Sequence, residues 1–254
     1  MNMLLLDDYE RRARLVPGLL AVLPLVVLFA VLGLRQIPAA TYVTGTLALA
    51  GVGPALIAGA VRHFGKAAER QLWDSWGGPP TTAWLRLDAP SDDEGQRQLW
   101  RTAVETVSGV PLLSLRAERR DSAKADNAIK LAVKRVRDRT RDKEKFALLF
   151  NENRNYGYER NIYGLRWAAR GVSVLSVLAL AGYMKWLAPM TGRPRISAAN
   201  LFGLAACGFC LVLWFLLPSK KRVRDAADRY ADELLHAAVT FQDESASDHT
   251  GTAP

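Results

Sequence analysis

The sequence predicts an all-α integral membrane protein with four transmembrane helices in two hairpins and a helical cytoplasmic domain inserted between spans 2 and 3. Two observations predict it. Half of the 254 residues are hydrophobic, and they are gathered into uncharged blocks instead of being spread along the chain, which is how membrane spans read in a sequence. The cations are gathered too: Arg62 to Arg170 holds 22 of the 34 Lys and Arg residues, and an excess of cations marks the cytoplasmic side of a bilayer.

Leu15 to Leu34 is the first block, an uncharged run behind Arg11, Arg12 and Arg14. At about 1.5 Å per residue, a helix of this length covers about 30 Å of hydrocarbon. It is too long for the apolar core of a signal peptide, and Arg35 stands where a cleavage site would lie, so a retained anchor is expected. Ile37 to Val61 is the second block, parted from the first by Arg35 and Gln36, and the two make an N-terminal hairpin over residues 1–62. On a helix of about 3.6 residues per turn, Thr41, Thr44, Gly45, Ala48, Val52, Ala55 and Gly59 share one narrow face. Small side chains let membrane helices approach closely, so this face either packs against a helix or lines a pore or subunit interface. Pro54 is placed to kink the span.

Residues 63–170 form the basic helical domain. Arg62 to Trp73 continues the second span as a helix, and the Gly and Pro pairs of residues 76–82 break it. Ser91 and Glu94 make a capping-box pattern for a helix running to about Ser108, with Leu99, Trp100, Ala103, Val104 and Val107 as its apolar face. A second helix is expected from about Ser122 to Arg141, with Ile129, Ala132, Val133, Val136 and Thr140 as its buried stripe. Cations border that stripe on both sides: Lys130, Lys134, Arg137 and Arg141 on one, Arg135, Arg139 and Lys143 on the other. Soluble helices intersperse acids among such cations for i,i+4 support, so besides a solvated face the pattern admits an anion site or contact with anionic headgroups.

The stretch from Arg137 to Arg166 joins this helix to the third span. In it Gly157 and Gly164, with Gly171 beyond, recur every seven residues, and Tyr156 and Tyr163 sit beside them. Glycines repeated on one helical face imply a close approach, either of a neighbouring helix or of a flat ligand. Aromatic residues interleaved with cations are the pattern for single-stranded nucleic acid, where bases stack and phosphates pair. The candidate ligand-binding residues are therefore Lys130, Lys134, Arg137, Arg139, Arg141, Arg154, Tyr156, Tyr158, Arg160 and Asn161.

Gly171 to Pro189 and Ile196 to Pro218 are the third and fourth spans, a C-terminal hairpin over 171–218. Lys185 and Trp186 fall near the outer end of one, and Trp214 toward the cytoplasmic end of the other. The tail, 219–254, opens with Lys220, Lys221, Arg222 and Arg224, then spaces Ala226, Tyr230, Leu234 and Ala237 as a helix does. Past Gln242 it is polar and expected to be disordered. Both termini and the basic domain are thus expected in the cytoplasm. The net charge of +9 favours anionic partners.

Other classes fare worse. Cys207 and Cys210 lie inside an apolar run with no second CxxC and no nearby His, and read as small buried hydrophobes. His63, His236 and His249 are scattered, and there is no Walker loop, HExxH, GxSxG or carboxylate cluster. No enzyme activity, metal or cofactor is expected, and with the spans uncharged apart from Lys185, no proton relay. A membrane scaffold that docks a soluble partner or anionic lipid through the basic helix is the alternative to a channel.

Three blocks stand out together: DDYERRARLVP at 7–17, LWDSWGGPPTT at 72–82 and TRDKEKFALLFNENRNYGYERNIYGLR at 140–166. As a set they resemble the HalB-like family of bacterial four-span membrane proteins, the membrane effectors of Hailong antiphage defence systems. The likeness covers the first two thirds of the chain; the later spans match only in being hydrophobic and basic. It implies a homotetrameric ion channel in the bacterial inner membrane, with a cytoplasmic part that binds single-stranded oligodeoxyadenylate made by a partner nucleotidyltransferase. That ligand is implied to hold the channel closed, so that its loss during infection opens the membrane and arrests the cell, an abortive infection. No individual ligand residue is carried over from the family.

Overall fold

The computed structural model describes residues 8–32, 39–90, 93–190, 192, 194 and 196–250, and the side chains of these except at 8, 39–52 and 245–250. The described residues are helical, in the order α1 Asp8–Glu10, a π-helical turn Arg11–Leu15, α2 Val16–Leu32, α3 Ala39–Trp76, α4 Pro80–Leu85, α5 Glu94–Ser108, α6 Leu115–Arg120, α7 Ser122–Arg139, α8 Ala147–Gly182, a π-helical turn Tyr183–Leu187, α9 Ala188–Met190, α10 Ala198–Leu216 and α11 Lys220–Thr250. They divide into two units, one of Met1–Arg70 with Gly157–Val223, the other of Gln71–Tyr156 with Arg224–Pro254. The second thus takes in the tail, whose helix runs through to Thr250 where the polar composition past Gln242 predicts disorder.

Among the described residues three helical segments are long and apolar enough to cross a membrane: Arg11–Leu32, a part of Ala147–Met190, and Ala198–Leu216. They correspond to the first, third and fourth expected spans. The second, Ile37 to Val61, falls largely on α3 residues whose side chains lie outside the described residues. Helix α2 packs against α10, where the Cys207 thiol donates to the Pro24 carbonyl at 3.5 Å and the Trp214 indole to the Leu20 carbonyl at 3.4 Å. Both cysteines are free and buried. Ala21, Val61, Ile162, Leu165, Ala169 and Trp214 form the core of this unit.

Glycine decides how closely α8 approaches its neighbours. A Cβ at Gly164 would stand 2.7 Å from the Phe64 carbonyl oxygen and 2.9 Å from the Gly65 Cα, both backbone atoms of α3. At Gly157 it would meet the Tyr9 hydroxyl at 2.7 Å, whereas at Gly171 nothing lies within 4 Å. The close neighbour at the first two positions is another part of the same chain. Backbone cannot rotate aside as a side chain does, so Gly164→Ala should force the helices apart and lower stability by about 1–3 kcal/mol, the usual range for overpacking. Gly171→Ala, with open space and a gain in helix propensity, is the control. Thermal unfolding of the two variants in detergent checks the difference.

In the second unit, α5 packs on α7, with α4 and α6 alongside. The amphipathic spacing of α7 buries Ile129, Ala132, Val133 and Val136 against Ala103, Val104 and Val107 of α5, and Leu234, Leu235 and Ala238 of α11 complete the core. Helix α7 starts where the Asp121 carboxylate caps the Lys124 amide at 2.9 Å. Helix α5 is capped by Asp93, which accepts from Gln96 N at 2.8 Å, one residue before the helix starts at Glu94; Ser91 lies outside the described residues. Its inner face also departs from the expected one. Leu99 is 48% exposed, while Arg97 and Arg101 are buried.

Those two arginines hold the irregular chain around them. Arg97 donates to the carbonyls of Arg86 and Ala89 at 2.7 and 2.8 Å, and Arg101 to those of Leu85 and Leu113. Glu118, with no exposed surface, accepts from Arg101 at 3.0 Å and from the Leu87 amide at 2.7 Å. Arg86 pairs with Asp88 and Asp126, each at 2.7 Å. Its hydrogen bonds from the guanidinium hold the Asp88 carboxyl below its usual range and raise the Arg86 pKa in turn. These bonds satisfy backbone groups that no helix serves.

Candidate anion-binding site

A pocket of about 220 Å³ opens in the second unit, and it is built from four stretches of chain. The end of α3 supplies Trp73. Gly77 and Gly78 follow with φ of 76° and 124°, conformations open to glycine, and they turn the chain so that Pro79 caps α4 and Pro80 sits at its first turn. Helix α7 presents Lys130, Val133 and Arg137. The two cations flank the buried stripe, two turns apart on one side of the helix. Tyr156 of α8 and Tyr230 of α11 form the remaining wall, their rings stacked at 6.1 Å and 5°.

The lining is therefore mostly apolar and aromatic, with positive charge on one wall. Lys130 and Arg137 are exposed and make no ion pair among the described residues. The indole N–H of Trp73 is buried and has no hydrogen-bond partner among them. Such a site suits a ligand with a flat face and an anionic group: rings offer stacking area, a guanidinium and an ammonium offer charge-assisted bonds to phosphate, and the indole offers one donor. Among the described residues no group of three or more His, Cys, Asp or Glu could hold a metal ion.

Three of the ten residues expected to bind ligand, Lys130, Arg137 and Tyr156, line this pocket. Lys134 and Arg139 are exposed elsewhere on α7 without an ion pair among the described residues. Arg141 is exposed and paired with Asp138 at 2.5 Å, and Arg154 donates to the Asn151 side chain at 2.6 Å. Of the flanking cations, Arg135 donates to the Ser108 carbonyl at 3.0 Å.

The other three belong to the first unit, where they serve packing. Arg160 is buried and pairs with Glu69 at 2.7 Å, and Lys66 reaches the same carboxylate at 2.5 Å. Burial pushes the Glu69 carboxyl up, but the Arg160 and Lys66 charges outweigh it and hold the group below its usual range. Asn161 is fully buried and donates to the Ala13 carbonyl at 2.6 Å. Tyr158 packs on the core, and burial, with Glu159 beside it, raises its phenol pKa.

On α3, Ala55 and Gly59 are exposed and nothing lies within 4 Å of a Cβ placed at Gly59, while Ala58 and Val61 are buried. Thr41, Thr44, Gly45, Ala48 and Val52 lie outside the described side chains. Among the lining residues that sequence reasoning missed are Trp73, Pro80 and Tyr230. Tyr230 lies on the tail's helical stripe and Pro80 in the Gly–Pro break, so each had a local signal, but their meeting is a product of the fold. No protein-family model, no curated protein and no solved structure matches the chain.

Proposed function

We propose that the protein is an oligomeric ion-channel effector of bacterial antiphage defence, held closed by a single-stranded oligodeoxyadenylate bound to its basic helical unit. The observation that carries this reading is the pocket in which Lys130 and Arg137 stand beside the stacked Tyr156 and Tyr230. Cations next to stacking surface are what a short single strand requires, and the resemblance of residues 7–17, 72–82 and 140–166 to HalB-like effectors supplies the ligand and its nucleotidyltransferase partner. In this reading the chain crosses the inner membrane four times, with Ile37 to Val61 as the second span, both termini in the cytoplasm and a homotetramer as the assembly. The exposed Ala55 and Gly59 leave room for contact with a neighbouring copy.

Binding can shift gating only by the difference in affinity between closed and open states. The ligand must therefore hold the helical unit differently in the two. The test is ion flux from liposomes containing the purified protein. Flux is expected without oligonucleotide, with suppression as oligodeoxyadenylate is added, and relief of the suppression as salt screens the phosphates. Liposomes that stay tight with and without oligonucleotide would refute the channel and leave the scaffold reading.

A further inference from the structure

The first unit carries a cationic feature of its own at one end of its apolar helices. Arg170 stands just before the apolar run of α8, and Trp214 to Leu216 close that of α10. These ends meet: Arg170 Nε donates to the Trp214 carbonyl at 3.0 Å, and its guanidinium lies 4.3 Å from the Phe215 ring centre and 4.8 Å from that of Trp167. One turn earlier, Arg166 stacks on Tyr163 at 3.8 Å and donates to the Tyr163 carbonyl at 2.7 Å. Both guanidiniums are thus held in place by their own unit, with the terminal nitrogens of Arg170 making no hydrogen bond among the described residues.

The surroundings are apolar and positive together. Trp167, Phe215 and Leu216 are 67%, 59% and 71% exposed, which suits side chains in contact with lipid. Residues 166–170 and 214–221 contain Arg166, Arg170, Lys220 and Lys221 and no carboxylate. Indole rings settle at the headgroup level of a bilayer, so the exposed Trp167 sets the depth of the two arginines. Guanidiniums there face phosphates, which they bind through paired N–H donors. A zwitterionic phosphatidylcholine headgroup brings a compensating ammonium; a phosphatidylglycerol headgroup does not.

We propose that Arg166 and Arg170 form a site for the phosphate of an anionic phospholipid, whose acyl chains lie along the exposed apolar flank of α8 and α10. Native mass spectrometry of the full-length protein from micelles with equal phosphatidylglycerol and phosphatidylcholine tests it. The expected result is about a tenfold or greater excess of phosphatidylglycerol adducts, since each cation near the surface favours anionic lipid about fivefold and two act together. Arg166→Gln with Arg170→Gln should bring the ratio close to one, whereas Lys at both positions should keep most of the preference.

A wild-type ratio near one would overturn the proposal, and so would an unchanged preference in the double glutamine variant. If that variant does not fold, Arg166→Gln alone decides, because Arg166 bonds only within its own helix turn; no loss of preference there counts against the site. Glycerol phosphate is the soluble control. Displacement of the lipid by it at matched concentration would mean a free-phosphate site and sink the lipid assignment, as would loss of preference on neutralising Lys220 and Lys221 but not the arginines.

Discussion

Replacing Glu118 by alanine is expected to remove about 3–5 kcal/mol of stability from the unit that contains α4 to α7, the range for breaking a buried ion pair by deleting one partner. The carboxylate has no exposed surface and serves Arg101 and the Leu87 amide at once. Without it, the Arg101 guanidinium keeps its carbonyl partners but loses its counter-charge, and the Leu87 amide loses its acceptor. Arg86, 3.5 Å from the same carboxylate, has Asp88 and Asp126 in reserve and should suffer less. Glu118→Gln keeps the volume and an acceptor, so its loss should be smaller. Hydrogen exchange read by mass spectrometry would show it as lost protection in peptides covering 85–89 and 113. A Glu118→Ala protein protected to within about 1 kcal/mol of wild type would mean that the pair contributes little, as exposed pairs do.

Reversing both pocket cations, Lys130→Glu with Arg137→Glu, should weaken binding of a short oligodeoxyadenylate at least about 100-fold. Two phosphate contacts are lost and two repulsions gained, and the slope of log affinity against log salt should fall by about 1.4, at about 0.7 per contact for a single strand. Arg139→Glu with Arg141→Glu tests cations at and just past the end of the same helix, outside the pocket. Arg141 already has Asp138 as a partner, so this pair should cost less. Fluorescence anisotropy across a salt series reads both quantities. Equal losses from the two pairs would point to diffuse attraction along α7 and away from the pocket; an unchanged slope would exclude phosphate as the group recognised.

The stripe of α7 was legible because burial on a helix leaves a period, and Ile129, Ala132, Val133 and Val136 obey it. The opposite case is α5. Nothing in the local pattern separates a buried arginine from a solvated one, so the expected apolar face takes in Leu99, which is exposed, and leaves out Arg97 and Arg101, which are buried. What brings the guanidiniums inside is a set of carbonyls from Leu85, Arg86, Ala89 and Leu113, 8 to 16 residues away in the chain and without any mark of their own. The glycine repeat gave a correct sense of close approach at Gly157 and Gly164, but the identity of the neighbour, Tyr9 or the backbone of Phe64, depends on long-range packing. The pocket was partly legible for the same reason. Lys130 and Arg137 follow from the flank of a stripe, whereas Tyr156 and Tyr230 stack from helices far apart in the chain.

The arginines around residues 85–89 also bear on how this unit could drift in sequence. A segment held by a sheet or helix leans on backbone bonds that almost any side chain preserves, so its composition is free to wander. Here Arg97 grips two carbonyls and Arg101 two carbonyls and a carboxylate, a geometry that the rigid five-donor fork of arginine meets and the single ammonium of lysine does not. Charge conservation is therefore no guide to tolerance at these positions. Two guanidiniums and one acid have taken over the task of secondary structure, and they would have to change together or not at all.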